Sequence, residues 1–153
     1  MKLNRFPLQI LAVILALPFS VVADEMLVIT AINAPVTALT AKELKRIFQK
    51  EALISSKGSK WIPVNLSTDH PGRLAFSFGL FHKRPEAMEM YWNSQYFKGI
   101  SPPYVVGSQD AMVNFVANTP GAIGYIFPCH LNDQIKIVAR LEIKNTANQS
   151  CKH

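Results

Sequence analysis

The residues of this chain best suited to chemistry lie together at Ser67-Thr68-Asp69-His70-Pro71-Gly72-Arg73. Two hydroxyls, a carboxylate, an imidazole and a guanidinium fall where a strand gives way to a helix, and Pro71 suits the first helical position. A helix start presents free N–H groups and the positive end of the helix dipole, and both attract anions. Gly72 lets the backbone come close to a ligand. Arg73 can grip two oxygens of a phosphate or carboxylate at once. Ser67 and Thr68 can donate hydroxyl hydrogen bonds, and Asp69 can accept a proton from a partly protonated oxyanion or cap the helix. His70 adds charge in an acidic medium. The set reads as a small anion-binding turn. The alternative for the same residues is an ordinary capped helix with a solvated arginine.

Other chemistries find less support. His70, His82, His130 and His153 lack the paired spacing of helical zinc sites. No G-x-S-x-G elbow and no glycine-rich nucleotide loop occur. Ser67, Asp69 and His70 have the residue types of a catalytic triad, but near neighbours in sequence rarely converge in that geometry. The expectation is a non-enzyme without metal or cofactor.

The N-terminus places this chemistry outside the cytoplasm. Lys2 and Arg5 precede an apolar stretch from Leu8 to Phe19, and Val21-Val22-Ala23 supplies a cleavage site before Asp24-Glu25. This is the pattern of a signal peptide, residues 1–23, and the stretch is shorter than the about 20 residues of a membrane span. A soluble, periplasmic product of residues 24–153 is expected, roughly 130 residues and so one domain. The full chain carries +6, and loss of Lys2 and Arg5 leaves +4. A basic exported domain favours anionic partners, and export argues against nucleic acid. Cys129 and Cys151 are an even pair in an oxidising compartment, which implies one disulfide. In the loop-entropy picture such a bridge stabilises by about 3 kcal/mol. Two free thiols, or a metal site using Cys129 and His130, are the alternatives.

The elements that must hold the turn follow from pattern. Glu25–Asn33 is rich in β-branched residues and reads as a strand. Thr40-Ala-Lys-Glu43 fits a capping box for a helix to about Gln49, with Ala41, Leu44, Ile47 and Phe48 as its buried stripe. Lys50–Lys60 reads as an exposed loop, and Trp61–Leu66 as a strand whose Pro63 points to an edge or a strand start. Arg73–Phe81 is apolar nearly all round, so its helix is either deeply buried or covered by a partner. A helix from Pro85 carries Met88, Tyr91, Trp92 and Tyr96 as a core stripe. Ser108 caps a helix with face Met112, Phe115 and Val116. Ala122–Ile126 and Gln134–Ile143 complete the strands. Helices interleaved with short strands argue for an α/β fold on one main sheet.

Several of these segments resemble the periplasmic phosphate-binding proteins of ABC transporters. They are Tyr91-Trp92, Phe97-Lys98-Gly99, Pro102-Pro103, Ser108–Val113 and, most specific, Pro120-Gly-Ala-Ile-Gly-Tyr125. Leu39–Leu44 with Ile47-Phe48 adds to the likeness, which spans about Met26 to Ile126. The resemblance implies a three-layer lobe of a type II periplasmic binding protein, one mixed sheet flanked by helices. It implies an exported solute-binding protein that hands phosphate or another small oxyanion to an ABC permease. Longer members open the phosphate helix with Gly-Ser-Gly-Thr, where this chain reads Asp69-His70-Pro71-Gly72-Arg73. A lone lobe offers half a cleft, so it binds weakly, forms a homodimer or closes against another protein. The competing reading is a periplasmic interaction or sensory module that keeps the lobe without transport and presents Phe76–Phe81 to a membrane sensor or to itself.

Overall fold

The computed structural model describes residues 24–143. The signal peptide and its cleavage site, the polar tail and Cys151 lie outside the described residues. The elements in chain order are β1 (Asp24–Ala31), α1 (Ala41–Phe48), β2 (Ile62–Leu66), α2 (Pro71–Phe81), a 3-10 turn (Pro85–Met88), α3 (Glu89–Tyr96), β3 (Tyr104–Val106), α4 (Gln109–Asn118), β4 (Ala122–Ile126), a second 3-10 turn (Pro128–His130) and β5 (Ile135–Ile143). The strands form one sheet in the order β3-β2-β4-β1-β5. β2 runs parallel to β3 and β4, while β1 runs antiparallel to both β4 and β5.

The pleat of β4 shows the layers. A side chain at Gly124 would collide with Met112 and Val116 of α4, so this face of the sheet carries α4. The next residue, Tyr125, points the other way and stacks on Phe76 of α2, ring centroids 3.7 Å apart. Phe48 of α1 packs on Phe76 at 4.7 Å. Helices thus cover both faces of a mixed sheet, the three-layer α/β arrangement. Covering both faces explains why Met26, Leu27, Val28 and Ile29 of β1 form an unbroken apolar run with none of them exposed. Gly121 begins β4 at φ +82° with its α-carbon against the Lys60 carbonyl, a place where only glycine fits. The Pro120–Tyr125 segment is therefore a structural signature: a tight turn, a helix-docking glycine and a core tyrosine.

Local signals produced most elements. Thr40 accepts from the Glu43 amide, and the Glu43 carboxylate accepts from the Thr40 amide at 2.8 Å, completing the capping box. Leu44, Ile47 and Phe48 are buried as expected, but Ala41 is exposed. Ser108 caps α4 by accepting from the Ala111 amide at 3.1 Å.

The structure adds one strand, decides between alternatives at two places and overturns one expectation. Tyr104–Val106 is a strand in a stretch to which the sequence pattern assigned no element. It makes β2 an interior strand, so of the two readings of Pro63 the edge fails and the strand start holds. Pro63 is tolerated there because β3 begins pairing only at Val64. The stripe of the third helix is not core: α3 buries none of its residues, Tyr96 is 70% exposed, and only Met88 in the turn before it is buried. This segment lies over the rim of α1 and α2, so it has a neighbour on one side only. Finally, α2 turns Ala75, Phe76, Ser77 and Leu80 into the core and leaves Phe78 exposed. Of the two readings of this helix, buried or covered by a partner, burial against the sheet accounts for most of its apolar surface. Among the described residues, no helix is long and apolar enough to cross a membrane.

Candidate functional site

Because β2, β3 and β4 are parallel, the loops leaving their carboxyl ends gather along one edge, where open α/β sheets hold ligands. Residues 67–70 leave β2, residues 107–110 lead from β3 into α4, and residues 127–130 leave β4. Hydrogen bonds tie them together. The Ser67 amide donates to the Val106 carbonyl at 3.2 Å. The Phe127 amide donates to Oε1 of buried Gln109 at 2.6 Å. Nδ1 of His130 lies 3.0 Å from Oδ1 of Asp110.

Within the first loop the roles differ from those drawn from the sequence. The helix cap is His70, not Asp69: its Nδ1 accepts from the Gly72 amide at 3.0 Å. This bond fixes the neutral ring with its proton on Nε2. Burial pushes the His70 imidazole below its ordinary value, Asp69 opposes that, and His130 adds to it. Asp69 is exposed, and its carboxyl is held low by the Ser67 hydroxyl, then by its own backbone amide, with His70 adding in the same direction. Thr68 is exposed and Ser67 half-buried. Gly72 is buried, and a side chain there would stand 2.9 Å from Leu66 Cδ1 and 3.2 Å from His70 Nδ1, so the glycine makes room for the capping imidazole. The Arg73 and Leu74 amides both reach the His70 carbonyl, at 2.9 and 3.3 Å, and Pro71 has no N–H. The first-turn donors of α2 are thus engaged within the chain, and side chains are what this turn presents to an anion.

The structure brings Ser67, Thr68, Asp69 and His70 together and sends Arg73 elsewhere. Arg73 lines a narrow cleft on the α1–α2 face with Phe48, Asn65, Phe76, Phe81 and Trp92. Its charge bears on Tyr125, whose buried hydroxyl accepts from the Leu66 amide at 3.0 Å and donates to Asn65 Oδ1 at 3.3 Å. Burial drives the Tyr125 phenol up, against the pull of Arg73. The Arg73 Nε is buried without a hydrogen-bond partner. Asp110 and Asn65 join these two places unmarked in the sequence, and Ser108, His130 and Tyr125 join them in roles other than those the sequence suggested. Their only signal is the strand order, which no local pattern carries. Cys129 is exposed in the 127–130 loop.

No family model and no curated protein matches the sequence. Solved structures do. An ABC-type phosphate transport receptor from Vibrio cholerae superposes with a TM-score of 0.61 at 16% identity, covering 82% of this chain. The chain has the fold of a phosphate receptor lobe. A phosphate ABC transporter substrate-binding protein from Clostridium perfringens, solved with bound phosphate, gives a TM-score of 0.60 at 22% identity over 75% of the chain. PstS from Borrelia burgdorferi gives 0.52 at 19% identity over 67%. The chain spans 59%, 44% and 40% of the lengths of these three receptors. The likeness is to transport receptors rather than to enzymes, and at these identities it establishes the receptor fold.

Proposed function

We propose that this chain is an exported solute-binding protein that takes phosphate or another small oxyanion and passes it to an ABC permease. One observation carries the reading. In a fold shared with phosphate receptors, hydroxyls and imidazoles from adjoining loops converge at the carboxyl edge of the parallel strands. Thr68 and Ser108 offer hydroxyl protons, Ser67 donates its own to Asp69, His70 offers its Nε2 proton, and His130 stands behind on the last loop. Gly72 shapes the turn, and Arg73 adds positive potential from the far side of α2. Asp69 and Asp110 make the neutral site unfavourable for a dianion, so binding strengthens as the His70 imidazole gains a proton. Asp69 then accepts the proton of a partly protonated ligand.

The test is thermal melting of residues 24–153 with phosphate and sulfate at pH 5.5 and 7.5. A ligand at a hundredfold excess over its dissociation constant stabilises by about 2.7 kcal/mol. The expected result is a rise in melting temperature, larger at pH 5.5, which His70→Ala removes. Melting curves unmoved by any oxyanion at either pH would sink the proposal.

A further inference from the structure

Arg73 is the least conventional residue of the fold. Its side chain is half-buried and hydrogen-bonds to Tyr125, its Nε is buried without a partner, and none of the ion pairs among the described residues includes it. Glu86, a carboxylate on which its charge acts, is exposed and paired to Arg84 at 3.3 Å. A partly buried cation with no carboxylate of its own leaves part of its charge unmatched, and proteins ordinarily pair such a group or leave it in water. Around it stand Phe48, Phe76, Phe81 and Trp92, and the polar side chains beside it are Asn65 and Ser77, whose hydroxyl is taken by the Lys83 carbonyl.

We infer that Arg73 and Asn65 form the floor of a second binding site, which takes a small monocarboxylate with an apolar body. The guanidinium fork matches the two carboxylate oxygens, and the aromatic walls match the body. Inorganic phosphate suits this place poorly: one cation between aromatic rings leaves part of a dianion's charge buried and uncompensated. The cleft opens to solvent and has about 290 Å³ of empty space, open solvent included. Its enclosed part is only water-sized, so a ligand enters as the cover lifts. That cover is the Pro85–Tyr96 segment. It is held by buried Pro85 and Met88 and by the Tyr91 hydroxyl, which donates to the Gln49 carbonyl at 2.7 Å. With no buried residue in α3, lifting it is a local opening rather than unfolding of the domain.

Trp92 in the wall supplies the readout. The chain has two tryptophans, and Trp61 lies outside this lining, so Trp61→Phe isolates the signal. Benzoate and phenylacetate are titrated into that protein, with benzyl alcohol as the neutral comparison and inorganic phosphate in a separate series. The expected result is a saturable change in Trp92 emission and a rise in melting temperature with the carboxylates. Arg73→Gln weakens binding at least tenfold, and benzyl alcohol binds at least tenfold more weakly than benzoate. If Arg73→Gln does not fold, Arg73→Lys keeps the charge and removes the fork, and binding still weakens. Equal responses to benzyl alcohol and benzoate, unchanged binding in the Arg73 variants, or no response at millimolar carboxylate each overturn the inference. His70→Ala separates the two sites, since it leaves the benzoate response intact while removing any response to phosphate.

Discussion

Tyr125→Phe isolates the bond network that joins β2 to β4. The ring stays, and with it the stack on Phe76 at 3.7 Å and an interplanar angle of 3°. Only the hydroxyl is lost. It accepts from the Leu66 amide and donates to Asn65 Oδ1, both buried, and Tyr125 itself has no exposed surface. A single deleted oxygen leaves too little room for a water to replace it. Each buried group left without a partner costs about 1–3 kcal/mol, and the longer Asn65 bond sits at the weak end, so a total near 2.5 kcal/mol is expected. For a domain of about 130 residues, unfolding entropy is about 0.27 kcal/mol/K, which converts that loss to a fall of about 9 °C in melting temperature. Urea unfolding gives the free energy directly, with the slope unchanged because the buried surface is unchanged. Tyr91→Phe, which loses a half-buried bond to the Gln49 carbonyl, is the comparison and should cost about 1 kcal/mol or less. A Tyr125→Phe effect below about 0.5 kcal/mol would mean that solvent reaches the network, and the account of a dry β2–β4 seam would be wrong.

Thr40→Ala removes the hydroxyl half of the capping box, while the residue-40 amide still donates to the Glu43 carboxylate, and should lower stability by about 1 kcal/mol by urea unfolding. His70 gives stability a pH dependence of definite sign. Its folded value lies below its unfolded value of about 6.5, so its contribution is complete above that pH and is lost as pH falls through the lowered folded value. Asp69, also lowered, acts only below about 3.9, which leaves the window from pH 7 to 5 to histidine. Urea midpoints at pH 7.5, 6 and 5 should fall in the wild type and flatten in His70→Asn, whose cap does not titrate; parallel curves would refute the assignment. A Cys129–Cys151 bridge is proposed, and non-reducing peptide mass mapping of the secreted protein should find the two cysteines in one cross-linked fragment.

The parts of the fold legible in the sequence are those fixed by neighbours along the chain. Thr40 and Glu43 announce α1, Ser108 announces α4, and the β-branched run of β1 announces a strand. β3 was not legible because Tyr104–Val106 is a short run between Pro103 and Gly107, and its pairing depends on a partner far away in sequence. The aromatic spacing from Met88 to Tyr96 misled for a related reason: periodicity shows that one helix face is apolar, not that anything covers it. The position of the candidate turn was readable, since strand, proline and glycine fix where a chain reverses. Its company was not. His130 and Asp110 reach the turn only because β4 and β3 flank β2. Arg73 reaches Tyr125 by the same topology, which no local sequence pattern expresses.

The pairing of the first strand with the last also determines how the domain can be handled. Leu27 faces Ile126 while Thr30 faces Ile123, so the start of β1 lies level with the carboxyl end of β4. Asp24 pairs with Ile143, so β5 finishes beside it. Both ends of the described chain therefore emerge at the rim of the candidate site. A tag, reporter or surface linker joined at either end is tethered at the mouth and competes with whatever approaches it. The exposed Lys57-Gly58 turn before β2 lies at the opposite edge. Attachment there, with the two ends joined by a short linker, would give a circularly permuted domain whose binding edge faces open solution.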